Sequence, residues 1–275
     1  MALAKANEFQ TTAWQNNFTA TPSLTQWGTR LTASATPHSK GSWATLATAT
    51  YDVYGFWLGI NGSVASATRT DQMLDIGIGT AGSPENVIVP EYLCGWRALP
   101  ATGGYYVYFP IFIPRGTVIQ GRIQALIASD TLDVQIVLNG GGSAMPGPLF
   151  SGCDAYGTAP ASSIGTSHTP GNSGTESTAA NIGSTTSKHY GAVLLGLGGT
   201  LAQTTTTNIA YHWELQIGSV TVAEWFGETH TTEAQNGPWP PCPFFCSIPS
   251  GTQLQVRAEA SGTALAQDVA FYCFY

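Results

Sequence analysis

Charge is what this sequence has least of. Lys, Arg, Asp and Glu supply 9% of 275 residues, with 9 basic against 16 acidic side chains and a formal net charge of −7. An ordinary soluble domain carries about 25%. No run of Lys or Arg occurs anywhere, so the electrostatic footprint that phosphate contacts require is missing and nucleic acid is excluded as a partner. No stretch approaches 18 consecutive apolar residues, which excludes a helical membrane span. Heptads and Gly-X-Y repeats are also missing, so a long fibre shaft is not expected. Helical periodicity is scarce too, because Thr, Ser, Gly and Pro interrupt every stretch before an i, i+3, i+4, i+7 stripe can develop.

Cysteine usage places the chain in a reducing setting. Cys94, Cys153, Cys242, Cys246 and Cys273 form an odd set without framework spacing, as free buried thiols do. The N-terminal Met1-Ala-Leu-Ala-Lys-Ala-Asn-Glu-Phe has no apolar core of secretory length, and synthesis in the cytoplasm without export is expected. Asn17-Phe-Thr19 and Asn61-Gly-Ser63 match glycosylation acceptors as strings, and without export they are incidental.

What the chain does contain is one pattern twice. Pro114-Arg-Gly116-Thr117, followed by Ile119 and Arg122, returns as Pro249-Ser-Gly251-Thr252, Leu254 and Arg257, and Asp133-Val134 returns as Asp268-Val269. Leu74-Asp75-Ile76 has a counterpart in Trp213-Glu214-Leu215, Tyr54-Gly55 in Tyr190-Gly191, and Trp27-Gly28-Thr29 in Tyr156-Gly157-Thr158. A tandem duplication of one all-β unit follows, at a period too long for a solenoid.

Within each copy the strand signal is alternation. In residues 252–260, Leu254, Val256, Ala258 and Ala260 share one face while Gln253, Gln255, Arg257 and Glu259 share the other, the pattern of a half-buried antiparallel strand. The fold class expected is therefore all-β, with two tandem antiparallel β-sandwiches that lean toward the jelly roll. The expected organisation is an N-terminal extended arm at 1–26 and a first sandwich at 27–140. A Gly/Ser/Thr/Pro-rich connection at 141–187, partly belonging to the second sandwich, precedes the second core at 188–275. The apolar C-terminus, Val269-Ala-Phe-Tyr-Cys-Phe274, is expected to be buried in a sheet or an interface.

Chemistry-bearing constellations are few. Cys242-Pro-Phe-Phe-Cys246 with His212 and His230 has no second matching pair for a zinc site. His38 and His168 occupy Ser/Thr/Pro-rich stretches expected to be solvated loops. Gly77-Ile-Gly79-Thr-Ala-Gly82 matches a dinucleotide fingerprint as a string but lacks the βαβ context. The carboxylates Asp75 and Glu214, and Asp133 and Asp268, are related by the duplication, so each pair is expected to do one structural job in two copies. No catalytic, cofactor-binding or metal-binding residue is assigned, and no enzyme activity or cofactor is expected.

Aromatics carry the remaining functional signal. Eight Trp, eleven Tyr and eleven Phe concentrate at 51–57, 92–96, 105–112 and 239–245. In Tyr105-Tyr106-Val107-Tyr108-Phe109, Tyr106 and Tyr108 fall on one face and Tyr105, Val107 and Phe109 on the core side. Such a run fits a strand covered on both sides, the outer one by a neighbouring subunit, better than a row of sugar-stacking rings.

The phenylalanine-led strand opened by Ile-Pro-x-Gly-Thr, running into an Arg-containing segment and a closing strand, resembles β-sandwich virion proteins of tailed bacteriophages. The likeness covers residues 109–138 and 244–275. It implies a virion structural protein, a capsid decoration or cement protein first, and a double-jelly-roll major capsid protein or a glycan- or receptor-binding tail or fibre component as alternatives. The partners it implies are further copies of the chain, often as trimers, other virion proteins such as the major capsid protein, and a host surface glycan.

Overall fold

The computed structural model describes residues 14–16, 28–61, 71–94, 105–140, 148–198, 209–229 and 238–275. Among them the secondary structure is β-strand, apart from one 3-10 turn at Pro160–Ser162. The first half contributes β1 (Trp14–Asn16), β2 (Thr29–Thr32), β3 (Ala44–Thr48), β4 (Val53–Asn61), β5 (Gln72–Thr80), β6 (Ser83–Leu93), β7 (Tyr105–Phe109), β8 (Val118–Ala125) and β9 (Thr131–Gly140). The second contributes β10 (Cys153–Tyr156), β11 (Thr166–His168), β12 (Ala180–Asn181), β13 (Tyr190–Gly198), β14 (Ile209–Ile217), β15 (Val220–Thr229), β16 (Phe244–Ile248), β17 (Leu254–Ala260) and β18 (Gln267–Phe274).

Four antiparallel sheets result. The orders are β1-β9-β4-β7, with β2 also on β9, and β3-β8-β5-β6; then β10-β18-β13-β16, with β11 also on β18, and β12-β17-β14-β15. Position for position the two halves are the same. Counting β1 and β2 as one interrupted strand, and β10 and β11 likewise, each half is an eight-stranded jelly roll. The duplicated Pro-x-Gly-Thr is the same turn in both: Gly116 and Gly251 have φ of 83° and 80°, the left-handed region a side chain disfavours. Their N–H groups donate to Ala49 and Thr186 carbonyls, tying each turn to the strand opposite.

Ladder registers sharpen the internal alignment. Trp57 faces Val137 and Leu194 faces Tyr272, so Trp57 corresponds to Leu194 and Val137 to Tyr272. Asp75 faces Arg122 and Glu214 faces Arg257, as the sequence match requires. Two of the sequence matches are corrected. Phe56 aligns with Val193, which slides Tyr54 onto Gly191 rather than Tyr190. Thr29 and Thr166 pair with Val134 and Val269, so Gly28-Thr29 corresponds to Gly165-Thr166 and not to Gly157-Thr158. Turn sequences of this kind recur cheaply, whereas a ladder fixes position to the residue. Strand β1, inside the segment expected to form an arm, pairs with β9 as β10 pairs with β18.

The halves share hydrophobic interior. Along β13 and β18, Val193, Leu195, Leu197, Val269, Phe271 and Cys273 belong to the second core. Their neighbours Ala192, Leu194, Ala270, Tyr272 and Phe274 belong to the first. Because successive strand residues point to opposite faces, one sheet walls two cores. Every residue of β18 is buried. The first half meets this sheet with β6 and Phe109, the Phe109 ring lying 6.1 Å from that of Phe274 and the Tyr92 ring 4.9 Å from that of Tyr272. Burying a Leu or Phe stabilises by roughly 1.5–3 kcal/mol, so this contact holds the halves firmly together.

Candidate functional site

Of the two duplicated carboxylate pairs, Asp75 and Glu214 do the same structural work, whereas Asp133 faces Arg30 in its ladder and its twin Asp268 faces Ser167. Arg122 Nε donates to Asp75 at 2.9 Å, and Arg257 Nε donates to Glu214 at the same distance. Lys40 adds a second cation to Asp75 at 2.9 Å, and Glu176 a second anion to Arg257 at 2.7 Å. Asp133 is held by both Arg30 Nε and Nη2. Burial works to raise the Glu214 carboxyl, but hydrogen bonds from Thr221 and Arg257, the Arg257 charge and Gln216 together hold it below the ordinary carboxylate value. Acids paired with arginine in this way tie strands together, and the lowered Glu214 carboxyl is a poor proton donor at neutral pH.

His212, Glu214 and Glu224 bring one ligand atom each within 4.8 Å of one another. The same Glu214 oxygen already accepts from Arg257, Thr221 and Gln216, which leaves little room for a cation. His212 is stacked on Phe226 at 4.9 Å. Cys242 and Cys246 are half-buried free thiols, both raised by burial, Cys246 to about 11. They do not join the His212 group among the described residues, and His230 lies outside those residues.

Both histidines expected in solvated loops are packed. His38 sits at φ 58° and its Nδ1 lies 3.1 Å from Ser163 Oγ of the other half. His168 is buried at the end of β11, its Nε2 2.8 Å from Ser177 Oγ and its ring edge-on to Trp213. Polar flanks misled there: the ladder puts His168 opposite Gln267 as Leu31 lies opposite Leu132, an inward position in both halves.

The surface that remains is aromatic. Tyr106 and Tyr108 lie together on the outer face of the first half's β1-β9-β4-β7 sheet, and Val107 and Phe109 on its core face. The Tyr106 hydroxyl donates to Gln135, and the Tyr108 ring packs on Trp57 at 5.1 Å. Tyr105 is half-buried and packs against both cores. Across a cleft of about 560 Å³, Tyr105 and Tyr106 face Phe226, Trp239 and Pro241 of the second half. Phe226 and Trp239 are 52% and 66% exposed, and their backbones pair through two 2.8 Å hydrogen bonds. Phe226 lies outside the aromatic clusters of the sequence, yet Trp225-Phe226 interrupts an alternating strand, so one of the two rings has to face outward.

No family model matches the chain, and no curated protein matches it in sequence. Among solved structures the chain is similar to PNGF-II, at 7% identity with a TM-score of 0.35. The match covers 94% of this chain and 63% of that one, so this chain spans less than two thirds of PNGF-II. At that level of likeness nothing about activity follows.

Proposed function

We propose that the protein is a non-enzymatic virion structural component that acts by burying its sandwich faces against neighbouring subunits, as a capsid decoration or cement protein. One observation carries this reading. Of two equivalent jelly-roll faces, that of Leu194, Ala270 and Tyr272 is fully covered, while on the other Tyr106 is exposed and Trp57 and Gln135 are half-buried. Low charge supports the same conclusion, since surface that other protein covers needs few ions for solubility. A contact of the standard size, about 1,600 Å², gives specific association, and its repetition around a lattice adds avidity.

A second reading, a double-jelly-roll capsid protein that builds the shell alone, is favoured by the rigid side-by-side fusion of two complete jelly rolls. Light scattering on the purified protein, alone and mixed with undecorated particles, separates the readings. Saturable binding to particles supports the cement role, and growth into closed shells without particles supports the capsid role. A monomer indifferent to particles overturns both and turns attention to glycan binding in the Tyr106–Trp239 cleft.

A further inference from the structure

The chain carries inside itself one example of how its jelly rolls associate, together with a counterpart of each surface involved that meets no second jelly roll among the described residues. In the used contact, the outer face of the β10-β18-β13-β16 sheet, with Leu194, Ala270, Tyr272 and Phe274, receives β6 and its neighbours from the first half. Tyr272 donates to the Glu91 carbonyl at 2.8 Å and accepts the Leu93 N–H at 2.8 Å, so it docks onto the free edge of that strand. Cys153 Sγ reaches the Ile88 carbonyl at 3.5 Å beside it.

Each partner in that contact has a counterpart. Ladder registers match Leu194 with Trp57, Ala270 with Gln135 and Tyr272 with Val137, all on the outer face of the first half's sheet. They match Ile88 with Val222, Glu91 with Glu224 and Leu93 with Phe226 on β15. These counterparts are exposed or half-buried. The free face is the more polar version, with half-buried Gln135 where its twin has the fully buried Ala270, as a surface wetted before assembly must be. On β15 the Phe226 N–H is already taken by the Trp239 carbonyl, so an incoming face meets the rings of Phe226 and Trp239 in place of a bare strand edge.

We propose that a second copy of this chain docks its Trp57, Gln135 and Val137 face onto the Val222, Phe226 and Trp239 surface, repeating between chains the contact made within the chain. Such an interface is heterologous, since each subunit uses two different patches, and it propagates until it closes. This inference rests on the structural role proposed above.

The test uses two single variants of the full chain, Trp57→Glu and Phe226→Glu, each checked for an unchanged unfolding transition, with mass measured by light scattering up to about 100 µM, a hundredfold above a micromolar Kd. The wild type assembles and each variant stays at the 28.8 kDa of one chain. An equimolar mixture of the variants retains one intact patch of each kind, so it forms a dimer of twice that mass and nothing larger. A wild-type monomer, a single variant that still assembles as wild type, or a mixture that stays monomeric would overturn the assignment. If either variant fails to fold, Val137→Glu and Trp239→Glu carry the same comparison. Restored dimers together with wild-type protein that ignores undecorated particles would sink the cement reading and leave this interface standing.

Discussion

The hydroxyl of Tyr272 accepts the backbone N–H of Leu93 at 2.8 Å, across 179 residues of sequence. It also donates to Glu91 O, so one side chain satisfies two groups of an edge strand that would otherwise be buried without partners. Tyr272→Phe removes both bonds and keeps the ring. Stability should fall by about 2–3 kcal/mol in denaturant unfolding, because a donor and an acceptor are left buried and unmet. A loss below about 0.5 kcal/mol would mean that water reaches the junction.

Gly196 and Gly59 occupy equivalent places in the two sheets, and a Cβ on either would strike a tyrosine ring, Tyr272 in one case and Tyr106 in the other. Tyr272 is enclosed, whereas Tyr106 is 39% exposed and can swing away. Gly196→Ala should therefore cost about 2–3 kcal/mol and Gly59→Ala less than about 1. Thermal melts of the two variants side by side would decide it, and equal losses would argue against the covered-and-open distinction between the faces.

Arg257→Met strands Glu214, whose side chain is 8% exposed, without its main counter-charge. Since Arg257 is itself 30% exposed, the expected loss is discounted to about 2 kcal/mol. Replacing Glu214 with Met as well should recover most of it, because the pair is then gone together. A double-mutant cycle in urea reads the coupling, and simple additivity of the single changes would refute the pairing as a stabilising unit.

Burial lowers the His168 imidazole below its ordinary 6.5, so the folded protein keeps it neutral while the unfolded chain binds a proton. Above pH 6.5 both states are neutral and stability is unaffected; from there down through the folded value, stability drains as the unfolded state gains protons. His168→Leu, copying Leu31 of the first half, should flatten the decline in stability below pH 6.5. Denaturation midpoints across that range would show whether the slope persists in the variant, which would assign it to another group.

The duplication was legible because charge pairs inside sheets are hard to move: Asp75 with Arg122 and Glu214 with Arg257 keep their ladder partners, and the alternation of 252–260 writes out β17. Loop residues were less legible. His38 and His168 lie among Ser, Thr and Pro, a composition that says turn, whereas their packing comes from residues more than 40 positions away, Ser163 for one and Trp213 for part of the other. The covered face was half legible. Ala192-Val-Leu-Leu-Gly-Leu197 and Val269-Ala-Phe-Tyr-Cys-Phe274 are apolar at every position, which indicates burial on both sides, but an apolar run does not say whether its second cover is the same chain or another. Phe226 stands apart from the aromatic clusters of the sequence, and the bridge to Trp239 sets the two residues side by side.

The sheet that walls two interiors also bears on the order of events during synthesis. Domains generally fold as they emerge, the N-terminal one first. Here the first jelly roll has both of its own sheets, but its apolar flank, with Tyr92 and Phe109, stays uncovered until Tyr272 and Phe274 have been made. Duplication has given this chain two copies of one architecture, the first of which is covered on its flank only once the second is made.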